Sequence, residues 1–329
     1  MAAIAATSAT PTIHIIHEND AWTAPLEAEL ERLNLPFTAW FLDQGHFDLS
    51  SPPPEGVFYN RMSASSHTRD HRYAHEYTSA VVAWLELHGR RVLNGTRANQ
   101  LEVTKAGQYA VLEAHGIKTP RTIPALGRDH IVEAARAFEG APFITKHNRA
   151  GKGLGVHLFR SVEALETYLD GPEFEAPVDG ITLIQQYIEA PEPFITRVEF
   201  VGQEFLYAVR VDTSDGFELC PADACSIEGL NCPATPQAEA PRAKFEIIEG
   251  FDSPLIEKYR EVMRANDFAI AAFEQIVDRD GVVYTYDINQ NTNYNSAAEA
   301  VAGKFGMRAI AEYLGAELRA RYGAVTAAA

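Results

Sequence analysis

The chain has 329 residues, 46% hydrophobic and 22% charged, proportions ordinary for a folded soluble protein. Its length exceeds what one core normally fills, so two or three lobes are expected. A formal net charge of −17 argues against non-specific binding to nucleic acid or anionic membrane, since both need a basic face. No apolar run approaches the roughly 20 residues of a membrane helix. The opening "MAAIAATSATPT" has no basic region before a long apolar stretch, and there are three cysteines, so the expected location is a reducing cytoplasm.

Residues 1–12 and 323–329 read as loose tails. The first expected lobe is 13–97. "TIHIIHEND" alternates as a strand, "PLEAELERL" is an amphipathic helix, and "FTAWFLD" is a second strand. A Pro-rich turn leads to the strand "VFYNRMSASS", and "AHEYTSAVVAWLELHG" is a helix ended by Gly89. This order predicts a small α/β lobe with a mainly parallel sheet, whose ligands gather beyond the carboxyl ends of strands. His17–Asp20 and Asn60–Ser66 are therefore candidate substrate contacts. Arg61, with Ser63, Ser65 and Ser66 beside it, is suited to clamp a substrate carboxylate bidentately, or to make a surface salt bridge. His67, His71 and His75 follow at helical spacing on one face; without a nearby carboxylate or thiolate pattern they are expected to be solvated or capping rather than metal ligands.

The second expected lobe is 98–180. A helix is predicted from Asn99 to His115 with Gly116 as its stop, then an extended "IKTPRTIPA" and a helix in "RDHIVEAARAFEG". "FITKHNRAGKGLGVHLFR" follows. It is not a phosphate loop of the GxxxxGK[ST] type, nor a dinucleotide fingerprint, because "VHLFRS" after Gly155 alternates like a strand instead of opening a helix. Nor is it a kinase, since HRD and DFG motifs are missing. Strand, glycine loop, strand describes a hairpin flap. Gly151, Gly153 and Gly155 let backbone N–H groups approach phosphate oxygens. Lys146, Arg149, Lys152 and Arg160 supply positive charge in an acidic chain.

The third expected lobe is 181–322. It opens on the strand "ITLIQQYIEA", then a hairpin turning at Val201–Gln203, a helix "PLIEKYREVMRAN", a last hairpin "FAIAAFEQIVDRDGVVYTYDINQN" and a closing helix. Asp287 and Asn289 are two apart on a strand and share a face. With "DRDG" as the turn and Val277 opposite Val282, Glu274 would lie across from Thr285, beside Asp287. Two carboxylates and an amide oxygen then converge as the hard ligand set that Mg²⁺ accepts; a one-residue slip would send Glu274 to the other face. The spacing C-x4-C-x6-C of Cys220, Cys225 and Cys232 offers three ligands and no nearby histidine, so a structured lid loop is expected rather than zinc, with Asp223 placed to meet an incoming amine.

Taken together, "NGTRANQLEVTK", "GIKTPRT", "FITKHNRAGKGLGV", "LIQQYIEA", "TRVEFVG", "AVRVD" and "YDINQNTNYN" occur in an order that resembles the ATP-grasp superfamily, in its RimK-type branch of carboxylate–amine ligases, over about residues 90–315. The resemblance implies an α/β (α+β lobes) ATP-grasp fold behind an N-terminal preATP-grasp domain, with ATP and Mg²⁺ (or Mn²⁺) as cofactors. It implies that Lys105 and Lys146 hold phosphates under the Gly151–Gly155 flap, including Lys152, and that Gln185, Gln186, Tyr187 and Ile188 bind adenine with Glu189 at the ribose. Arg197 and Arg210 would contact the γ-phosphate and acyl phosphate as the catalytic pair, Glu274, Asp287 and Asn289 would hold the metal, and Asn291 and Asn293 would support the metal or the substrate. Ile195 stands where many relatives have Asp, and Glu274 where Asp is commoner.

The implied reaction is amide-bond formation through an acyl phosphate, releasing ADP and phosphate, on a small carboxylate and an amine that is an amino acid or peptide. Neither nucleic acid nor membrane is expected as a partner, and a homo-oligomer is left open. A non-catalytic ATP-binding regulatory or scaffold protein and a kinase-like phosphotransferase are the alternatives.

Overall fold

The computed structural model describes residues 10–151, 153–214 and 243–324. Lys152, Cys220, Asp223, Cys225 and Cys232 lie outside the described residues, as do most of both expected tails. Among the described residues no helix is long and apolar enough to cross a membrane.

The first lobe is built from β1 (Thr12–His17), α1 (Asp20–Arg32), β2 (Phe37–Phe41), β3 (Gly56–Asn60), α2 (Ala74–Leu87) and β4 (Arg91–Leu93). Its four strands are parallel, in the order β2-β1-β3-β4. β1 is buried at every position, as a strand covered on both faces must be. Asn19 caps α1 by accepting from the Trp22 amide, which fixes where the chain turns at the carboxyl end of β1. The expected shared face for His67, His71 and His75 does not form. A 3₁₀ turn at Ser66–Arg69 ends on Asp70 at φ 64°, and α2 starts only at Ala74. His67 bonds to the Ala64 carbonyl, His71 to Glu18 and His75 to the Asn99 carbonyl.

The helix expected at 99–115 is two helices, α3 (Thr96–Glu102) and α4 (Lys105–Ala114). Thr104 breaks the run: its backbone is extended at φ −139° and its hydroxyl caps the Gly107 amide. Apolar periodicity reads through this point, while the capping threonine starts a new helix with Lys105 at its first residue. An antiparallel sheet follows, in the order β5-β8-β6-β7, from β5 (Thr122–Leu126), β6 (Phe143–His147), β7 (His157–Phe159) and β8 (Ile181–Gln186), backed by α5 (Arg128–Arg136) and α6 (Val162–Leu169). β6 and β7 carry the glycine loop between them, as the flap reading requires. β8 sits between β5 and β6, so a lobe boundary at 180/181 would cut this sheet.

The last sheet has the order β11-β10-β9-β12-β13 and is antiparallel throughout, from β9 (Phe194–Val201), β10 (Glu204–Asp212), β11 (Phe245–Ile248), β12 (Ile270–Val277) and β13 (Val283–Asn289). α7 (Leu255–Ala265), α8 (Ser296–Ala302) and α9 (Gly306–Tyr322) complete it. The β9–β10 hairpin turns on Gly202 and Gln203, both at positive φ, the two-residue turn whose twist suits paired strands. α9 leaves its own lobe: Ile310, Leu314 and Leu318 share one core with Ile13, Ile15 and Val57 of the first sheet. A Cβ at Gly315 would stand 2.8 Å from Leu35, so α9 approaches the first lobe at a distance only glycine permits.

Asn94 rivets the lobes together. It is fully buried at φ 57°; its Nδ2 donates to the Ile270 and Gln290 carbonyls, and its Oδ1 accepts from the Ala269 and Ile270 amides. Each orphaned buried group costs about 1–3 kcal/mol. Asn94→Ala is therefore expected to lower unfolding stability by about 3 kcal/mol or more, measured by urea denaturation; a loss under about 0.5 kcal/mol, the size of a surface substitution, would contradict this role.

Candidate functional site

A cleft of about 220 Å³ opens where the three sheets meet. The flap contributes Ala150, Gly151, Gly153 and Leu154, with Lys146 on β6 beneath it. The end of β8 contributes Gln185 and Gln186, continued by Tyr187 and Ile188. Arg197, Glu274, Asp287 and Asn289 form the wall from the last sheet, and Trp22, Ser63 and Ser65 come from the first lobe. The glycine loop and the acidic strand therefore line one cavity.

A bulge sets the acidic wall. Val277 pairs with Val283, Ile276 with Tyr284 and Gln275 with Thr285, one residue off the expected hairpin. Left there, Glu274 would oppose Tyr286 and face away from Asp287. The register shifts between Glu274 and Gln275, Tyr286 becomes the extra residue, and Glu274 pairs with Asp287. The Tyr286 carbonyl then accepts from Tyr109 Oη at 3.0 Å and Lys146 Nζ at 3.3 Å. The expected convergence of Glu274, Asp287 and Asn289 is reached by a different register.

Charge is closely packed here. Lys105 donates to Asp287 Oδ1 at 2.5 Å, with both side chains nearly buried. Arg197 bridges Glu274 Oε1 at 2.8 Å and Glu199 Oε1 at 3.1 Å. Burial pushes the Glu199 carboxyl up to about 7 despite Arg197, and pushes Glu274 up as well. Burial lowers the Lys146 ammonium, with Asp287 and Glu274 opposing. A carboxylate or triphosphate entering the cleft reverses that penalty.

The donor set suits a hard cation. Among the described residues no group of three His, Cys, Asp or Glu side chains is placed to hold a metal, so a cation here depends on an amide as third ligand. Asn289 Nδ2 donates to Glu274 Oε1 at 3.3 Å. A carboxylate only accepts, so the Asn289 oxygen is the atom left for a ligand. Two carboxylates and an amide oxygen fit Mg²⁺ completed by phosphate oxygens and water.

Other expected site residues have partners of their own, and some lie off the cavity. Gln185 Nε2 is held by Thr122 Oγ1 at 2.8 Å, and Gln186 Oε1 accepts from the Arg121 amide at 3.3 Å. Glu189 turns outward to Arg279. Arg210 lies away from the cavity, over the Phe194 ring and 3.3 Å from Glu192. Gly155 does not line the cavity; a Cβ there would come within 2.2 Å of His147, so the glycine shapes the hairpin. Of the basic residues around the flap, Arg149 is turned to Glu76 at 2.6 Å and Arg160 is exposed away from the cavity. Arg61 does not reach into the cleft as a direct clamp: it is 1% exposed and bonded to Asn291, Thr292 and Asn293.

Two lining residues carried no signal in the sequence. Glu102 accepts from the Ala64 and Gln290 amides, tying the serine loop (residues 63–66) to the end of β13, and burial raises its carboxyl to about 7. Trp22 enters through the capped turn after β1 and is stacked by Arg69 at 4.7 Å. Both depend on contacts distant in sequence.

Residues 103–218 match the family model of the RimK-like ATP-grasp domain. Over these residues the chain is similar to that family. It is 28% identical over 140 residues to a probable alpha-L-glutamate ligase of Vibrio vulnificus (strain YJ016), which is 43% of this chain and 46% of that one. The match thus spans about half the length of such curated relatives. The fold is similar to that of the ATP-grasp ligase PsnB complexed with a minimal precursor, at TM-score 0.64 and 16% identity, covering 94% of this chain and 99% of that one. A RimK domain ATP-grasp protein from Sphaerobacter thermophilus DSM 20745 gives 0.63 and 15%, covering 92% and 98%. These establish the ATP-grasp fold across nearly the whole chain, including the parallel N-terminal lobe.

Asp287→Ala would leave the buried Lys105 ammonium unpaired. Removing one member of a buried pair costs about 3–5 kcal/mol, while replacing both by apolar groups is far cheaper. The expected outcome in urea denaturation is that Asp287→Ala is markedly less stable than Asp287→Ala/Lys105→Met; equal stabilities would contradict the pairing.

Proposed function

We propose that the chain is an ATP-dependent carboxylate–amine ligase that forms an amide bond through an acyl phosphate. The observation that carries this is the lining of one cleft, where the glycine loop, Lys146 and Lys105 meet Glu274, Asp287 and Asn289, with Lys105 bonded directly to Asp287. The relatives' name, probable alpha-L-glutamate ligase, makes L-glutamate the first substrate to try. PsnB, similar in fold, is known with a precursor, Mg and ADP.

In this reading Tyr187 and Ile188 flank the adenine, and Lys146 and Lys105 hold the phosphates. Glu274, Asp287 and Asn289 would hold Mg²⁺, which would supply neutralisation of phosphate charge. A substrate carboxylate oxygen attacks the γ-phosphorus, the bond to the bridging oxygen breaks, and ADP leaves. The amine nitrogen then attacks the acyl carbon and phosphate departs. Arg197, fixed by Glu199 and Glu274, offers its charge to the transferring group. No nucleophilic side chain is needed, because positioning and charge neutralisation supply the rate. The flap keeps water from the acyl phosphate. ATP and Mg²⁺ supply fits a cytoplasmic setting.

The test is phosphate release from Mg-ATP across acid–amine pairs beginning with L-glutamate, with mass spectrometry of the product. Release that requires both an acid and an amine, and a product short of one water, is the expected result. Nucleotide binding without turnover would favour a binding module, and a phosphorylated hydroxyl a kinase-like enzyme. Asp287→Asn is expected to reduce turnover by at least about 100-fold, the scale of losing a charge-stabilising group.

The flap root is latched to the first lobe. Arg149 reaches Glu76 of α2, which also pairs with Arg72. Burial raises the Glu76 carboxyl, but the hydrogen bonds from Arg149 and Arg72 outweigh it and bring it to about 2. A depressed carboxyl contributes stability above its unfolded value, lost only as pH falls toward the folded one, so the latch is intact at neutral pH. Glu76→Gln is expected to raise acceptor-independent ATP hydrolysis severalfold in the phosphate assay; unchanged coupling would remove the latch.

A further inference from the structure

Asn289, Asn291 and Asn293 alternate along the chain, and the partners of each amide decide which end it turns to the cleft. Asn289 spends its nitrogen on Glu274 and leaves an oxygen. The next two do the reverse. Asn291 Oδ1 accepts from Arg61 Nε at 3.3 Å and Nη2 at 3.0 Å, and Asn293 Oδ1 accepts from Arg61 Nη2 at 3.1 Å. A guanidinium has donors and no acceptor, so both amide oxygens must face it. The two Nδ2 groups are left over, and neither has a partner among the described residues. Asn291 and Asn293 both line the cleft, as do Ser63 and Ser65 of the first lobe.

Arg61 supplies the charge behind them. It is 1% exposed, its Nη1 has no hydrogen-bond partner, and among the described residues no carboxylate lies within 4.0 Å of it. A buried cation without a counter-ion is unfavourable, and an anion docking on the far side of the two amides relieves it. Nδ2 groups polarised in this way suit a planar, two-oxygen acceptor.

We propose that Asn291 and Asn293, oriented by Arg61, form a carboxylate-recognition subsite for a substrate of the ligase. The inference rests on the ligase reading. It replaces a direct clamp by Arg61 with an indirect one, in which Arg61 is a positioning residue and the asparagines touch the substrate. The carboxylate is either the one to be phosphorylated or a second one that survives the reaction.

The test uses Asn291→Asp and Asn293→Asp. Each gives Arg61 an ionic partner, which supports the fold, and turns acceptors toward the cleft where donors stood. Thermal-shift titration in the presence of Mg-AMPPNP compares acetate, succinate, L-aspartate and L-glutamate, each against its primary amide. Wild-type protein is expected to bind one or more acids in preference to the amide. Both variants are expected to weaken that acid by at least about tenfold, a factor worth about 1.4 kcal/mol, and by more than any change in nucleotide affinity. Asn291→Leu, which removes the donors without adding charge, reports a smaller loss in the same direction should an Asp variant not fold. Acids that bind no better than their amides, or variants that keep the wild-type preference, overturn the subsite whatever the turnover screen returns. With a pair that turns over, a fall in kcat at saturation identifies the carboxylate being phosphorylated, and a raised KM with kcat retained identifies a second one.

Discussion

The structure turns on opposite charges held out of water in one cleft. Lys105 and Asp287 are paired there, and Arg197 is fixed between Glu274 and Glu199. Among the described residues Lys146 has no carboxylate within salt-bridge distance, and it leans instead on the Tyr109 hydroxyl and the Tyr286 carbonyl. Such an arrangement is self-consistent without ligands yet only weakly favourable, because desolvation offsets most of the Coulomb attraction. On the ligase reading proposed above, a triphosphate and its cation would replace each internal partner with a better one: phosphate for Lys105 and Lys146, metal for Asp287. On that reading the internal pairing would also prepare the site.

Two local devices make this geometry possible. Thr104 ends one helix and caps the next, which puts Lys105 at the first turn of α4 and aims it at β13. The bulge at Tyr286 returns Glu274 to the side of Asp287 and frees a carbonyl for Lys146. The first lobe is then held against this wall by Asn94, by Glu102 and by the packing of α9, so the serine loop and the acidic strand have one relative position. On the proposed reading, that fixed position and the contact of Arg149 on Glu76 at the flap root would couple the acceptor and nucleotide ends.

Much of this was legible in the sequence. Alternating strands, the glycine hairpin, the Gly202–Gln203 turn and the pair Asp287 and Asn289 are local patterns with local causes. The placing of Glu274 beside Asp287 was anticipated through a register that does not form, and a bulge restored it; a hairpin pattern does not encode an extra residue. The break at Thr104 was hidden because helical periodicity continues through it. Arg61 and Arg149 were read toward ligands from their charge, whereas each has an internal partner far along the chain; Arg210 was read from the resemblance and is paired with Glu192 of the same lobe. Charge type is visible in a sequence and pairing is not. Glu102 and Trp22 were missed for the same reason.

The most direct measurement is the structure of the protein with Mn²⁺ and AMPPNP, locating the metal by its anomalous scattering. The account predicts a metal about 2.1 Å from oxygens of Glu274, Asp287 and Asn289, with the Lys105 ammonium moved from Asp287 to a phosphate beside Lys146. A metal bound elsewhere, or phosphates out of reach of both lysines, would contradict it.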